Sequence, residues 1–494
     1  MSSSNKRQAA ASPTVLDLDH VLVAVVQCMA AVKDVKAFLA ALPPSARGST
    51  HLAALHELLQ APHRAVLAIV SKPLDALWPL LHLDKITPAA THLVRDAMPI
   101  FLAASAGTSR VARPRYLDTV EWLRLWSTKL THYTHDVNGA VFDPSRLLNV
   151  LRQCHQLQVV DLRWAADGHE IVEAVTTPLH RVRSLKFVCS SAASIALVDR
   201  WLASGHAEHL ELTQAESHEA EAMLGPMLLK TTGLSSLALH YHERGVLAPL
   251  FAIAASFDRL ARLSLSIPES DVASLLPFLK HLNKPQLRSL SLYCRQADLT
   301  GLVEVLASFP KLEELELSKC AFGGRPRATM MLPLTLRRVT FRELTATKAT
   351  WDVLVTGLSR AHALTELSCC WCRLQPSVVK AIAKALSNWI HRGIRNIALD
   401  ACNIDDDGAS AMATALRRTT SQSGVCIDLC NARLSVQSYV ALGDALTTCR
   451  GVSIELRPID CEVFRTEATR RRITYHVDSR TNRLVLESPV PHLQ

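Results

Sequence analysis

Twelve copies of one apolar pattern occur between residues 157 and 456 of this 494-residue chain. In the clearest copy, Ile394, Ile397 and Leu399 form an apolar-x-x-apolar-x-apolar sequence, and a helix-like run ending at Leu416 follows. The copies begin 24 to 30 residues apart, at Leu157, Val182, Ala207, Leu234, Leu260, Leu287, Leu312, Leu336, Leu364, Ile394, Gly424 and Gly451. Apolar–polar alternation is typical of a strand, and a spacing of three to four is typical of an amphipathic helix. Each copy therefore predicts one short strand followed by one helix.

A single strand–helix unit of this kind cannot bury its own apolar face. Stacked copies bury one continuous core between them, and this arrangement is a solenoid. The period therefore predicts an α/β fold over residues 146–456, with about 12 coils and a parallel sheet on the concave face. The composition suits aliphatic ladder positions, since 49% of the residues are hydrophobic but only 5% are aromatic.

Three copies carry Cys at a fixed position, three residues beyond the last apolar residue of the strand. They read Leu317-Ser-Lys-Cys320, Cys369-Cys-Trp-Cys372 and Leu399-Asp-Ala-Cys402. This spacing resembles the ribonuclease-inhibitor-like leucine-rich repeats, and the resemblance covers about 60% of the chain. It implies a leucine-rich-repeat solenoid in which such Cys side chains bond the turning backbone. The resemblance implies the fold and leaves the function open.

The segments that flank the repeats have different patterns. Residues 1–14 are polar and small, and we expect them to form a disordered leader. Residues 15–145 lack the strand signature and contain short apolar-periodic stretches broken by Pro, which predicts an all-α N-terminal domain. Residues 457–494 contain two alternating runs joined by a polar turn, which predicts a β-hairpin that caps the last coil.

The apolar residues of segment 15–42 resemble those of an F-box, a three-helix module that binds the Skp adaptor of cullin–RING ubiquitin ligases. The resemblance lies in Leu18, Val21, Leu22, Val25, Val26, Met29, Asp34, Val35, Phe38 and Leu39. It implies adaptor contacts by Leu18, Val21, Leu22, Val25, Val26 and Phe38. The segment departs from the family in having no Pro after Leu18 and no closing Trp. The alternative interpretation is a helical cap for the solenoid.

Cysteine use and the amino-terminal sequence indicate an intracellular protein. The thirteen Cys residues are scattered, and many fall at predicted interior positions, as expected for reduced thiols. Asp17, Asp19 and His20 interrupt the first apolar run, so no secretory signal is predicted. No stretch approaches 18 uninterrupted apolar residues, so we expect no membrane partner. We therefore expect a cytoplasmic or nuclear monomer.

Few residues form a pattern that could carry chemistry. Cys369 and Cys372 have metal-ligand spacing, but no second pair accompanies them, so we expect structural thiols rather than zinc ligands. We expect His132 and His135 on a solvated helix end, and Arg470–Arg472 as a solvated edge that discourages strand pairing. No phosphate-binding loop or nucleophile motif occurs in a suitable context. The sequence therefore predicts no catalytic, cofactor or metal site and no enzymatic activity.

Partner binding is expected on the concave face, at positions that alternate with the buried ladder. The predicted binding residues are Asp161, Arg163, Lys186, Glu211, His240, Arg262, Tyr293, Glu314, Glu316, Arg338, Arg342, Glu366, Asp400, Asp428, Glu455 and Arg457. A nucleic-acid groove would be uniformly basic and supplied with stacking aromatic residues, whereas this set carries both signs of charge. The mixture suits a complementary protein surface, and no nucleic-acid partner is expected.

The sequence therefore favours a protein–protein interaction module, and three hypotheses describe its use. In the first, the chain is a substrate receptor for ubiquitin ligation, in which residues 15–42 recruit the ligase and the concave face selects the substrate. In the second, it is a scaffold or regulator without a ligase link. The third is a GTPase-activating protein of the leucine-rich-repeat kind, which the lack of a long acidic tail makes less favourable.

Overall fold

The computed structural model divides the chain into two compact units, Met1–Ala207 and Glu208–Gln494. The structure describes residues 19–44, 50–61, 77–107, 119–136, 144–164, 168–189, 191–214, 223, 226–240, 247–269, 272–295, 297–324, 332–417, 419–459, 461–478 and 481–489. The predicted leader and Leu18 lie outside these residues. In the described part of the chain, no helix is long and apolar enough to cross a membrane.

The first unit combines helices with a parallel sheet. Its described α-helices are Asp19–Gln27, Val32–Ala41, Thr50–Gln60, Thr91–Asp96, Thr119–Trp126, Pro144–Leu151, Gly168–Val175 and Ala192–Leu202, and its short 3-10 helices are Leu83–Lys85 and Pro88–Ala90. Its described strands are β1 (Leu80–His82), β2 (Ala103–Gly107), β3 (Leu130–Asp136), β4 (Val159–Trp164) and β5 (Ser184–Cys189). Successive strands pair in parallel, from β1 on β2 to β4 on β5.

Strands β1, β2 and β3 require a correction to the all-α domain predicted over residues 15–145. Ala106 lies in register with Tyr133, and Tyr133 lies in register with Val160, so repeat-like strands precede the first predicted copy. Both Ala106 and Tyr133 are buried. Because a small residue and an aromatic residue occupy these positions, the aliphatic signature of the ladder is absent although the strands are present.

The two His residues predicted on a helix end lie on strand β3 instead. The Nδ1 atom of His132 lies 2.9 Å from Thr131 Oγ1, and the Nδ1 atom of His135 lies 2.8 Å from the Tyr133 hydroxyl. Burial lowers the pKa of His132, as does the nearby His82. Since His132 and His135 are an odd number of residues apart on a strand, their side chains point to opposite faces of the sheet.

The second unit contains the longer series of coils. Its described α-helices are Leu247–Ile253, Val272–His281, Leu302–Leu306, Lys348–Arg360, Pro376–His391, Asp406–Leu416, Val436–Leu446 and Glu462–Arg471, and its short 3-10 helices are Thr231–Gly233, Ala254–Ser256 and Lys284–Gln286. Its described strands are β6 (His209–Gln214), β7 (Ser236–His240), β8 (Arg262–Ile267), β9 (Ser289–Cys294), β10 (Glu314–Ser318), β11 (Ala321–Phe322), β12 (Arg338–Arg342), β13 (Thr345–Ala346), β14 (Glu366–Cys370), β15 (Asn396–Ala398), β16 (Thr420–Asp428), β17 (Arg450–Leu456), β18 (Thr474–Asp478) and β19 (Arg483–Glu487). The main sheet runs in parallel from β6 to β17, while β11 and β13 pair separately.

The apolar ladder of the second unit is in register. Leu263 on β8 lies beside Leu290 on β9, which lies beside Leu315 on β10. Val339 on β12 and Leu367 on β14 continue the row. Every one of these side chains is at most 2% exposed. The register confirms the predicted α/β solenoid and its strand phase, so the residues between ladder positions point to the opposite face of the sheet.

One coil shows how local sequence sets the boundaries of its elements. The helix Pro376–His391 begins with Pro and ends before Gly393, whose φ of 95° is rarely adopted by other residues. The next helix, Asp406–Leu416, is capped by Asp405, whose carboxylate accepts a hydrogen bond from the Gly408 N–H at 2.9 Å. A Cβ atom on Gly408 would lie 2.8 Å from a side chain of the preceding helix. Glycine therefore allows the two helices to pack closely.

The carboxyl-terminal segment contains the predicted hairpin and a helix before it. Strands β18 and β19 are antiparallel, and β19 also pairs antiparallel with β17. The hairpin therefore covers the last parallel strand of the described sheet. Arg470 and Arg471 lie in the helix Glu462–Arg471, where both form ion pairs with Glu467, rather than along an extended edge.

Candidate functional site

The open sheet face of the second unit consists of the side chains of β6–β17 that alternate with the buried ladder. Thirteen of the sixteen predicted binding residues lie in this unit, from Glu211 to Arg457, and the other three lie on β4 and β5. All are half-buried or exposed except Asp161, which is 9% exposed. Asp161 is buried beside Arg163, whose Nη2 atom lies 2.8 Å from its carboxylate. The alternation is as predicted, and the role of these residues in binding stays a prediction.

Arg338 on β12 joins the strands on either side of it. Its Nη1 atom lies 2.6 Å from Glu314 Oε1 on β10, and its Nε atom lies 2.8 Å from Glu366 Oε2 on β14. The hydrogen bond with Glu366 and the charges of both carboxylates raise the pKa of Arg338. The three side chains remain between 39% and 52% exposed. The row therefore presents alternating charges to solvent.

A lane of small side chains runs beside this row, at the positions between two ladder residues. Ser264, Ser291, Thr340 and Ser368 occupy it on β8, β9, β12 and β14, and all are half-buried. Glu316 on β10 interrupts the lane and accepts a hydrogen bond from Ser291 Oγ at 3.2 Å. Short side chains leave room for a partner to approach the sheet, and the carboxylate of Glu316 supplies a polar contact there.

A second row of side chains follows the ends of the strands and was not predicted to bind. Lys319, Glu343, Trp371 and Ala401 each lie two residues after the last ladder residue, with φ between 52° and 60°. The Nζ atom of Lys319 lies 3.8 Å from Glu343 Oε1 and 5.5 Å from the ring centroid of Tyr293. Trp371 is 62% exposed. Other coils have Lys, Glu or Ala at this turn position. The presence of an aromatic residue there is the sequence signal that would have identified Trp371 as a candidate binding residue.

Asp428 and Glu455, both predicted to bind a partner, are paired within the chain. The Nη1 atom of Arg483 on β19 lies 2.8 Å from Asp428 Oδ2 and 2.5 Å from Glu455 Oε2. The hydrogen bond with Glu455 raises the pKa of Arg483. Asp428, Cys430 and Glu455 have ligand atoms within 4.8 Å of one another, but the guanidinium already supplies positive charge to both carboxylates. These carboxylates therefore hold the hairpin to the sheet.

The thiols of the Cys369–Cys372 pair lie inside the solenoid. The Cys372 Sγ atom donates a hydrogen bond to the Phe341 carbonyl at 3.5 Å, as the repeat resemblance implies. Burial raises the pKa of Cys369 well above that of an ordinary thiol. A metal binds the thiolate, so this burial opposes metal binding at Cys369.

Two of the predicted adaptor contacts are buried inside the first unit. Leu22 and Val26 lie in the helix Asp19–Gln27 and are at most 3% exposed. The segment after this helix is also held, because the Trp78 indole Nε1 donates a hydrogen bond to the Met29 carbonyl at 2.7 Å. Leu22 and Val26 therefore contact the chain itself.

The other described adaptor contacts keep part of their surface. Val21 and Phe38 are half-buried, and Val25 is 38% exposed. They lie on the helices Asp19–Gln27 and Val32–Ala41, and the helix Thr50–Gln60 follows.

The buried in-register ladder and the alternating helices define an α/β leucine-rich-repeat solenoid. A crystal structure of the yeast Rad7–Elc1 complex is similar at 12% sequence identity and a TM-score of 0.33, covering 92% of this chain and 86% of that chain. An internalin structure (InlF) from Listeria monocytogenes is similar at 13% identity and a TM-score of 0.32, covering 70% of this chain and 86% of that chain. No family model matches this chain, and no curated protein matches it.

Proposed function

We propose that this protein is a protein-binding module and that the open sheet face of the second unit is its binding surface. The row formed by Glu314, Arg338 and Glu366 carries the proposal, because it places charges of both signs on three adjacent strands. Such a row complements a folded protein surface and repels a polyanion at its carboxylates. The chain has no catalytic role in this proposal.

A photo-reactive phenylalanine analogue placed at Thr340 tests the surface directly. Thr340 lies in the lane of small side chains, between the ladder residues Val339 and Phe341. We expect irradiation in an extract of the native cells to give discrete protein adducts from this position. The control is the same analogue at Ser410, an exposed position on the helix Asp406–Leu416. Equal adducts from both positions, or none from Thr340, would contradict the proposal.

A second candidate function is that of an F-box-type substrate receptor in a cullin–RING ubiquitin ligase. The partly exposed side chains of Val21, Val25 and Phe38 favour it, since an adaptor could cover them. The burial of Leu22 and Val26 favours the alternative, a scaffold or regulator whose first helices are a cap.

Binding of the purified full chain to the Skp adaptor distinguishes these two uses. The ligase role predicts a complex that Val25→Asp abolishes and that Leu179→Asp leaves intact. Leu179 is a matched control because it is an exposed apolar residue, at 68%, far along the chain from the adaptor segment. If the unmodified chain does not bind the adaptor, the scaffold or regulator role remains.

A further inference from the structure

Trp371 presents a large aromatic side chain at a fixed place beside the open sheet face. Its side chain is 62% exposed, and its φ is 60°. The backbone N–H of Trp371 donates to the Asp400 carbonyl at 2.9 Å, and the next residue, Cys372, is buried. The backbone under the indole is therefore anchored to the next coil, so binding would require little ordering of this residue.

Two arginines lie close to Trp371, one in strand register and one in sequence. Arg342 ends β12 in register with Cys370, the neighbour of Trp371, and Arg373 lies two residues beyond Trp371. Both arginines are exposed, and neither forms an ion pair with another residue in the described ranges. Glu343, by contrast, lies 3.8 Å from Lys319.

Asp400, the acidic residue on the following coil whose carbonyl accepts from Trp371, also has a side-chain partner. Asp400 is half-buried, and its Oδ1 atom accepts a hydrogen bond from the Asn431 side chain at 2.6 Å. Exposed Trp371 thus has two exposed arginines close to it in strand register or in sequence, and neither is ion-paired within the described residues. Tryptophan and arginine are the residue types that most often dominate the energy of protein interfaces.

We propose that Trp371, Arg342 and Arg373 form an anchor for an acidic protein segment that carries one apolar side chain next to its carboxylates. The apolar side chain covers the indole, and the carboxylates receive the planar guanidinium groups, which match their geometry. The inference rests on the proposed function, because it assigns the partner's chemistry at one edge of the same surface. The excess of positive charge at this edge selects an acidic segment over a basic one.

Selection from a displayed library of random peptides on the immobilised full chain tests the anchor. We expect enrichment of peptides with at least two Asp or Glu residues beside an aromatic or aliphatic residue. Trp371→Ala and Arg342→Glu should each weaken the enriched peptides at least tenfold, on the order of one interface hot spot. Raised salt should weaken them as well. If the Ala variant unfolds, Trp371→Asn is the second variant, because Asn tolerates a positive φ.

The matched controls are Val463→Ala and Arg417→Glu. Val463 is 62% exposed, like Trp371, and Arg417 is an exposed arginine after the helix Asp406–Leu416. Neither should change the affinity of the selected peptides. Enrichment of basic or uncharged peptides, or no enrichment at all, would overturn the anchor.

A blocking variant separates failure of the anchor from failure of the proposed function. Thr340→Trp fills the lane of small side chains on β12. If the selected peptides bind the Trp371→Ala variant but not the Thr340→Trp variant, the anchor is overturned and the open sheet face remains the binding surface. Peptides retained by both variants would overturn both.

Discussion

The Sγ atom of Cys402 lies 2.8 Å from the carbonyl oxygen of Cys369, the last ladder residue of the preceding strand. The same relation joins Cys320 to the carbonyl of Leu292 at 3.8 Å, three coils earlier along the sheet. Each thiol therefore donates a hydrogen bond across the boundary between two coils. A buried carbonyl without a donor is costly, so these contacts stabilise the stacking of coils in addition to the apolar ladder.

Cys402→Ala should lower the free energy of unfolding by about 1–3 kcal/mol, because the Cys369 carbonyl loses its thiol donor inside the core. Urea unfolding followed by tryptophan fluorescence measures the change. Cys28→Ala is the control, since Cys28 is exposed, and it should alter stability by less than about 0.5 kcal/mol. Equal effects of the two substitutions would mean that the thiol contact adds nothing.

Leu315→Ala should lower the free energy of unfolding by about 2–5 kcal/mol, because it leaves a cavity between β9 and β12 where the side chain is 2% exposed. Its neighbour Glu316 points to the open sheet face, so Glu316→Ala should cost less than about 1 kcal/mol. Thermal and urea unfolding of both variants measure the contrast. If Leu315→Ala proved as mild as Glu316→Ala, the strand phase would be wrong.

Asp406 links two successive helices in a pH-dependent way. Its Oδ1 atom accepts hydrogen bonds from Ser438 Oγ at 2.6 Å and from the Ser435 N–H at 2.8 Å, at the start of the helix Val436–Leu446. These bonds, with that of Ser438 the largest, lower the pKa of Asp406 from its ordinary value of 3.8. Because the pKa is lowered in the folded protein, the ionised carboxylate adds stability at pH values above its ordinary pKa. This stability is lost as the pH falls through the lowered pKa.

Asp406→Asn should therefore destabilise the protein by about 1 kcal/mol at neutral pH, the size of a lost helix cap. The difference from the unmodified chain should shrink as the pH falls from about 3.8 through the lowered pKa of the folded protein, where the Asp406 carboxylate becomes protonated. Urea unfolding at several pH values measures this trend. Asp407→Asn, on the same helical turn, is the control. A difference that persists at the lowest pH would exclude the carboxylate as its cause.

Arg483→Gln should loosen the attachment of the carboxyl-terminal hairpin. The substitution leaves Asp428 and Glu455 without their shared cation, and we expect a loss of about 1 kcal/mol that decreases at high salt. Hydrogen exchange should rise first in β18 and β19. In an Asp428→Asn background the cost of Arg483→Gln should be smaller, because one of its two partners is already neutral. An unchanged cost would show that Arg483 acts independently of Asp428.

The apolar period predicted the strands of the second unit because large aliphatic residues fill the ladder at nearly constant offsets, as at Leu290 and Leu315. The same period failed for β2, where Ala104 and Ala106 face the core. Short side chains give no periodic signal, yet they are fully buried there. Segment β2 forms a strand because it pairs in parallel with β3. The sequence pattern of β2 alone contains no information about that partner strand.

The sequence predicted the positions on the candidate surface but not the partners of their charges. Alternation along each strand identified the outward positions, including Glu314, Arg338 and Glu366, because side-chain direction follows from strand geometry. Alternation did not reveal which carboxylates already have partners. Arg483 is 55 residues from Asp428 in sequence and reaches it only through the hairpin.

The sequence by itself determined the repeat, the class of fold and the direction in which each strand residue points, since all of these depend on local spacing. Only the tertiary structure decided which charges remain available to a partner. It also showed that Trp371 is exposed and that Arg342 and Arg373 form no ion pair within the described residues. The physical reason is that burial and charge pairing depend on side chains brought together from different coils. Their distances are set by the stacking of coils and not by their separation along the chain.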